Sequence, residues 1–391
     1  MAFTPIPVGP QHPALDLESV NFTFHVDGEK VVAVRPRLGY MHRGIEKLAE
    51  GRTYHQNLYL VERVCGICSQ AHTICYAQAV EELLEVEVPD RALYIRTIMA
   101  ELERIQNHYL WLGVTAHQMG FETLFMYTWR DREIVLKMVE EVTGKRVNYD
   151  INYLGGVRRD LTPEAIHKMR KGLDQLAERT KYYTRVCKNE RTVLKRTVDV
   201  GRLSPKDAEA LCAVGPTLRA SGVKRDIRAD DPYAAYEETP FTVITYEGCD
   251  VASRLWVRCD EIQESIRIIR HALDTLPGGE ISVRVPRAVP AGEAISRVEA
   301  PRGENLHYVR ADGSENPARL KIRAPTLANL LPLCTMFVDM NIADIPLIIA
   351  GIDPCIACAE RMTFIDPRKT AQWSWSSEEL RRRSVQWYRK R

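Results

Sequence analysis

Two Cys-x-x-Cys pairs constrain this chain more than any other feature. The first is Cys65-Gly66-Ile67-Cys68 and the second is Cys355-Ile356-Ala357-Cys358, with 287 residues from Cys68 to Cys355. Within each pair the small spacer lets both sulfurs turn toward one point. Four thiolates make a soft, electron-rich site that suits nickel, iron, zinc or copper(I), and not magnesium or calcium. A local zinc ribbon keeps its two pairs within roughly 15–20 residues of each other. Here most of the chain lies between them. A metal shared by both pairs therefore sits at the centre of the whole fold.

The chain has 391 residues, enough for one sizeable core. A net charge of +2 argues against nucleic acid as a partner. Ten cysteines are too few for a disulfide scaffold of this length. The opening Met1–Pro10 lacks a basic region followed by an apolar core, so no secretory leader is expected and a reducing cytoplasm fits. The most apolar region, Leu327 to Ile352, is interrupted by Pro332, Asp339, Asp344 and Pro346. It reads as buried core, since a membrane span needs ~18 uninterrupted apolar residues.

Read in order, residues 1–52 form short strands and turns. Pro5, Pro7, Pro10 and Pro13 forbid an early helix, and Asp27-Gly28 joins two alternating runs into a hairpin. Helices are expected over 53–87, around the first cysteine pair, and then over 91–118, 122–143, 163–198 and 254–276. Gly144 closes the second of these four and Pro163 opens the third. Strands are expected at Ile281–Val285, Leu306–Arg310 and Arg319–Arg323, and a helix at 326–340. The fold class is α+β, mainly α: a core bundle of long helices with peripheral antiparallel strands. One domain spans 1–361, with a β-rich part at 1–52, a helical core at 53–276, a β-rich insertion at 280–323 and a metal-binding part at 326–361. Residues 362–391 follow as an extension.

Three stretches carry a family resemblance. Gly39-Tyr40-Met41-His42-Arg43-Gly44-Ile45-Glu46-Lys47, Glu62-Arg63-Val64-Cys65-Gly66-Ile67-Cys68-Ser69-Gln70-Ala71-His72 and Asp353-Pro354-Cys355-Ile356-Ala357-Cys358-Ala359-Glu360-Arg361 resemble the large subunit of [NiFe] hydrogenases. Gly9-Pro10-Gln11-His12-Pro13-Ala14, His42-Arg43-Gly44 and Gly155-Gly156-Val157-Arg158 resemble the related quinone-site subunit of respiratory complex I. Both sets together mark the energy-converting, membrane-bound hydrogenases.

The resemblance implies nickel held by Cys65, Cys68, Cys355 and Cys358, with an iron carrying CO and cyanide. Cys65 and Cys355 would be terminal on nickel, and Cys68 and Cys358 would bridge. His72 would donate to a cysteine sulfur. Arg302 matches the arginine held over the open metal face, with Arg323 a weaker rival, and Asp353 would orient Arg302. The usual proton-relay glutamate motif is absent, which leaves Asp16 first, then Glu18, with His12 as the alternative. Glu46 matches a carboxylate that holds a divalent ion in other branches. The completing histidine is Arg361 here, so a Glu46–Arg361 ion pair is expected and no magnesium. Cys75, Cys187, Cys212, Cys249, Cys259 and Cys334 are expected to be buried apolar residues. Iron–sulfur clusters then belong to partner subunits.

The implied activity is interconversion of H2 with protons and low-potential electrons, with ferredoxin as the expected electron partner. The implied partners are a small subunit with a [4Fe–4S] cluster, a ferredoxin-like electron-transfer subunit and integral membrane ion-translocating subunits, at the cytoplasmic face of the membrane. Residues 362–391 match an extension that a maturation protease trims between Arg361 and Met362; the competing reading is a retained helix beginning near Ser376. Two other readings stay open. One feeds the same core from a carbon monoxide dehydrogenase or a formate-oxidising module. The other is a non-catalytic, complex-I-like connecting subunit whose cysteines hold a structural zinc.

Overall fold

The computed structural model describes residues 3–15, 18–360 and 377–389. The chain divides after Glu360 into two compact units. The first begins with an antiparallel sheet of β1 (Thr4–Val8), β2 (Asn21–Asp27) and β3 (Lys30–Arg37), in that order. Its prolines sit on β1 and β3, the two edges, where a missing N–H does no harm. Central β2 has none and alternates, burying Phe22, Phe24 and Val26.

Three short helical segments surround the first cysteine pair: α1 (Ile45–Ala49), α2 (Tyr54–Glu62) and α3 (Ser69–Leu83). Thr53 and Gln56 form a reciprocal capping box on α2. The long helices α4 (Asp90–Gln118) and α5 (Glu122–Thr143) follow, and Gly144, with φ of 72°, closes α5. A two-residue ladder of β4 (Asn152–Tyr153) and β5 (Gly156–Val157) leads to α6 (Pro163–Asn189) and α7 (Arg191–Thr197).

The helix expected over 163–198 is therefore two helices. Glu190 takes an extended ψ of 120°, and its carboxylate accepts from the Thr192 N–H to start α7. No glycine or proline announces that break. Short helices α8 (Pro205–Ala210), α9 (Pro216–Arg219) and α10 (Ile227–Asp230) lead to α11 (Val251–Asp274), which Asp250 caps.

The second antiparallel sheet has the order β6 (Gly292–Ala300), β7 (Gly303–Ala311), β8 (Arg319–Arg323). The strand expected at 281–285 joins no ladder of it. That segment instead lies along Gly155–Val157, through Val157 N–H to Ile281 O at 2.9 Å and Val283 N–H to Gly155 O at 2.9 Å. The true first strand, Gly292–Ala300, is rich in Ala, Glu and Ser, which carry weak strand preference. The chain closes through α12 (Pro325–Phe337), α13 (Ile345–Gly351) and α14 (Ile356–Ala359). The second unit contains α15 (Ser377–Arg389).

Burial follows three clusters. Apolar faces of α4, α5, α6 and α11 pack as a bundle around residues such as Leu102, Ile105, Val139, Leu173 and Ile262. A second cluster joins α2, α3 and the β6–β8 sheet, and all four motif cysteines belong to it. The third packs β1–β3 against α12 and α13, with Phe337 edge-on to Phe22 and Phe24. Among the described residues no helix is long and apolar enough to cross a membrane.

Candidate metal centre

The first cysteine loop is built at the junction of α2 and α3. Its backbone turns so that the N–H groups of Ile67 and Cys68 both donate to Cys65 Sγ, at 3.3 and 3.2 Å. Two such bonds favour a thiolate there. The loop is held from behind by α4: Glu103 accepts from Gln70 N–H at 2.6 Å and Ala71 N–H at 2.9 Å, and Gln106 donates to Ile67 O at 2.7 Å. Burial pushes the Glu103 carboxyl up to about 8, against those two N–H groups.

The second loop follows α13. Asp353 adopts φ of 54° to redirect the chain, and Cys355 N–H is fixed by Thr326 Oγ1 at 2.9 Å. Arg43 ties the two loops together. Its guanidinium donates to Arg63 O and Val64 O, each at 2.8 Å, and to Ala357 O at 3.3 Å.

The four sulfurs converge and all are buried. Cys355 Sγ lies 3.5 Å from Cys65 Sγ and 2.9 Å from Cys358 Sγ. The ligand atoms of Cys65, Cys355 and Cys358 lie within 4.8 Å of one another, and so do those of Cys68, His72 and Cys358. Hydrogen bonds from Cys355, Cys358 and Cys68 pull the Cys65 thiol well below its ordinary value, whereas burial pushes Cys358 well up. Four thiols this close hold few negative charges without a cation, and a soft cation is what this donor set fits.

Arg302 forms, with Pro301, the two-residue turn between β6 and β7, whose closing pair is Ala300–Gly303. Gly303 has φ of 124°, and a Cβ there would lie 2.7 Å from Gly215 N. This contact seats the hairpin tip against the start of α9. The Arg302 guanidinium donates to Asp353 O at 2.7 Å and pairs with Asp353 Oδ1 at 3.0 Å. Asn107 holds the other Asp353 oxygen at 2.8 Å. Burial opposes the Arg302 charge, but Asp353, then Cys355, Cys68 and Cys65, outweigh it and hold it firmly protonated. Its Nη1 is buried and has no hydrogen-bond partner among the described residues. A free cationic donor beside buried thiolates fits a metal centre that carries further anionic ligands. Arg323, the rival, pairs with Glu304 instead.

Glu18 enters from the segment before β2. It accepts from the Cys355 thiol at 3.6 Å and from Ala357 N–H at 3.0 Å. Burial raises its carboxyl above the ordinary value, opposed by the Ala357 N–H. Asp16 lies outside the described residues. His12 is exposed and accepts from Ala14 N–H. His72 contacts Cys358 Sγ through Nε2 at 3.6 Å. Glu46 pairs with Lys321 Nζ and accepts from Ile322 N–H, each at 3.0 Å. Arg361, its expected partner, lies outside the described residues, as does the expected cleavage point. Of the six other cysteines, Cys212 is exposed and Cys334 half-buried, which corrects the expectation for those two. Arg43 as a clamp, Asn107, Thr326 and Glu103 carry no linear signal of these roles; only the fold brings them in.

Residues 43–118 match the family model described as nickel-dependent hydrogenase, and 118–289 with 283–361 match that of the respiratory-chain NADH dehydrogenase 49-kDa subunit. The chain is 40% identical over 382 residues to formate hydrogenlyase subunit 5 of Escherichia coli, covering 97% of this chain and 67% of that protein. It is 40% identical over 387 residues to the membrane-bound hydrogenase subunit alpha of Pyrococcus furiosus, covering 93% and 89%. In structure it is similar to a chain of the membrane-bound sulfane sulfur reductase, an archaeal respiratory membrane complex. The TM-score is 0.87 at 32% identity, covering 92% of this chain and 99% of that one.

Proposed function

The chain belongs to the large-subunit family that joins nickel-dependent hydrogenases to the 49-kDa subunit of respiratory NADH dehydrogenase, and on that premise we propose that it is the hydrogen-converting subunit of a membrane-associated, energy-converting [NiFe] hydrogenase. The observation that carries the reading is the convergence of four buried thiols with a carboxyl at 3.6 Å from one of them. Cys65, Cys68, Cys355 and Cys358 would together hold a nickel–iron centre whose iron carries CO and cyanide. Such a centre supplies heterolytic cleavage of H2 when bound.

The chain's own groups do the rest. Cys355 holds a proton at Sγ, and Glu18 Oε1 takes it on. A carboxyl raised by burial suits that carrier role. Arg302, fixed by Asp353, keeps a positive charge over the thiolates and leaves one N–H pair free for a ligand of the metals. The apolar second cluster excludes water from the sulfurs.

Electrons would pass to a partner's [4Fe–4S] cluster and a ferredoxin-like carrier, with ion transport by membrane subunits at the cytoplasmic face. A carbon monoxide- or formate-oxidising module in place of ferredoxin leaves this subunit's chemistry unchanged. Residues 1–361 would be the mature domain, with 362–391 removed by a protease once nickel is loaded. An intact mass that still contains Met362 in nickel-loaded protein rejects that cut.

A second reading is a complex-I-like connector with a structural zinc, which the match of 118–289 and 283–361 to the 49-kDa subunit supports. Infrared spectroscopy with metal quantification on the purified native complex separates the two. CO and cyanide bands with about one nickel per chain support the hydrogenase. Zinc without those bands, in mature protein, rejects it.

A further inference from the structure

His72 gives one ring nitrogen to the cysteine cluster and the other to a second histidine. Its Nε2 lies 3.6 Å from Cys358 Sγ, and its Nδ1 lies 3.1 Å from His307 Nε2. Both residues are buried, at 1% and 0% exposure. His307 comes from the central strand of its sheet, where β7 pairs it with Ser296 on β6 and Ile322 on β8. Tyr76 of α3 stands edge-on to its ring at 6.5 Å. The ring is thus held from the backbone and from above. His307 Nδ1 has no hydrogen-bond partner among the described residues.

That bare nitrogen orders the protons of the whole pair. A buried N–H without an acceptor costs about 1–3 kcal/mol, so the His307 proton belongs on Nε2, facing His72. His72 Nδ1 then accepts, and the His72 proton sits on Nε2, pointing at Cys358 Sγ. With Cys358 a metal-bound thiolate, the reverse arrangement turns a lone pair toward that sulfur and also strands the N–H of His307. Both costs favour the same tautomer.

We propose that His307 is a positioning residue for the metal centre: its hydrogen bond to His72 holds the tautomer that donates to the Cys358 sulfur. A donor on that sulfur draws electron density away from the metals it binds. The inference rests on reading the four cysteines as a nickel–iron centre.

The test is infrared spectroscopy, with nickel and iron quantification, on the purified complex carrying His307→Phe, His307→Asn or His307→Gln. Phenylalanine removes the donor, and the asparagine amide stops short of His72. Glutamine restores an N–H at the reach of Nε2. Without the donor, the sulfur gives more density to iron, and iron passes more to its CO. The CO and cyanide bands of the Phe and Asn variants are expected at lower wavenumber than native, at native metal content, with the Gln variant near native. Unshifted bands in the Phe or Asn variant, at native metal content, overturn the inference. If the Phe variant fails to assemble, the Asn variant decides. A native complex with neither nickel nor bands overturns the proposed function itself, and this inference with it.

Discussion

At the scale of single residues, Arg43 and Glu18 each bear directly on the cysteine loops. Arg43 reaches three carbonyls on two loops that are 294 residues apart between Val64 and Cys358. A lysine presents one compact charge and does not span that set. Arg43→Lys and Arg43→Ala are both expected to lower nickel per chain and cost about 1–2 kcal/mol of stability, since part of this contact is solvated. Metal analysis and thermal melting check it; native nickel content in the alanine variant would remove the clamp from the account. Glu18→Gln keeps the Ala357 N–H bond but no longer carries a proton. Hydrogen–deuterium exchange with H2 is expected to fall by ~10²–10³-fold at unchanged metal content, and near-native exchange would move the relay elsewhere. The cysteines, His72 and Arg302 each sit in a short linear pattern, and the fold brings them together. Glu18 is not singled out by the sequence, being one of two carboxylates two positions apart; the fold brings it to Cys355. His307 and Asn107 look like any buried polar residue until the fold brings them to His72 and Asp353 across 235 and 246 positions.

At the scale of elements, α4 shows why apolar spacing alone under-reads a central helix. Leu102, Ile105 and Tyr109 mark one face, but Glu101, Arg104 and His108 are also fully buried. They join a closed ionic cluster that fixes α9, α10, α11 and β6 to α4. Arg104 and Arg228 meet Glu101 at 3.2 and 3.1 Å, and Arg228 meets Asp226 at 2.7 Å. Arg219 meets Glu261 and Glu299 at 2.8 Å and Asp226 at 3.3 Å. Burial opposes the Glu101 charge, yet Arg104 and Arg228 hold it down to about 2. Three guanidinium groups thus face four carboxylates: Glu101, Asp226, Glu261 and Glu299. One carboxylate lacks a full counter-charge, and burial, then Asp226, push Glu299 up to about 7. Arg219 is raised as well, because its three carboxylates together outweigh its burial. Glu299 binds its proton more tightly folded than unfolded, where its value is 4.5. Its contribution is therefore full below 4.5 and is lost as pH rises toward 7. Glu299→Gln mimics the protonated form. Its melting temperature relative to native is expected to climb between pH 5 and pH 8, by the equivalent of roughly 2–3 kcal/mol. A pH-independent difference would place the shared proton on another group. The capped, strongly periodic α5 is readable to both ends, and α6 at its Pro163 start. The break at Glu190 and strand β6 are not, because a carboxylate cap and a ladder with β7 supply what local preference does not.

At the scale of the whole molecule, the metal site closes the fold but does not build its largest core. The α4–α5–α6–α11 bundle contains none of the four motif cysteines. All four lie in the cluster formed by α2, α3 and the second sheet, and in the later pair Cys355 precedes α14 while Cys358 sits within it. Gathering four thiols without a cation leaves their charges or their desolvated protons uncompensated. Metal binding should therefore stabilise the joint between the early and late loops, by RT ln(1 + [L]/Kd), or about 4 kcal/mol at a thousandfold excess over Kd. The bundle should hold its own hydrogen bonds without that contribution. Hydrogen exchange followed by mass spectrometry, on metal-loaded and metal-free protein, resolves the two regions. Faster exchange is expected on metal loss in peptides covering 64–72 and 345–359, with 98–112 and 255–269 still protected. Equal loss across all four segments would mean that the centre nucleates the entire fold and that the bundle depends on it. Unchanged protection at both cysteine loops would mean the opposite, that protein contacts such as the Arg43 clamp and the Thr326 bond to Cys355 suffice to pre-form the site before any metal arrives.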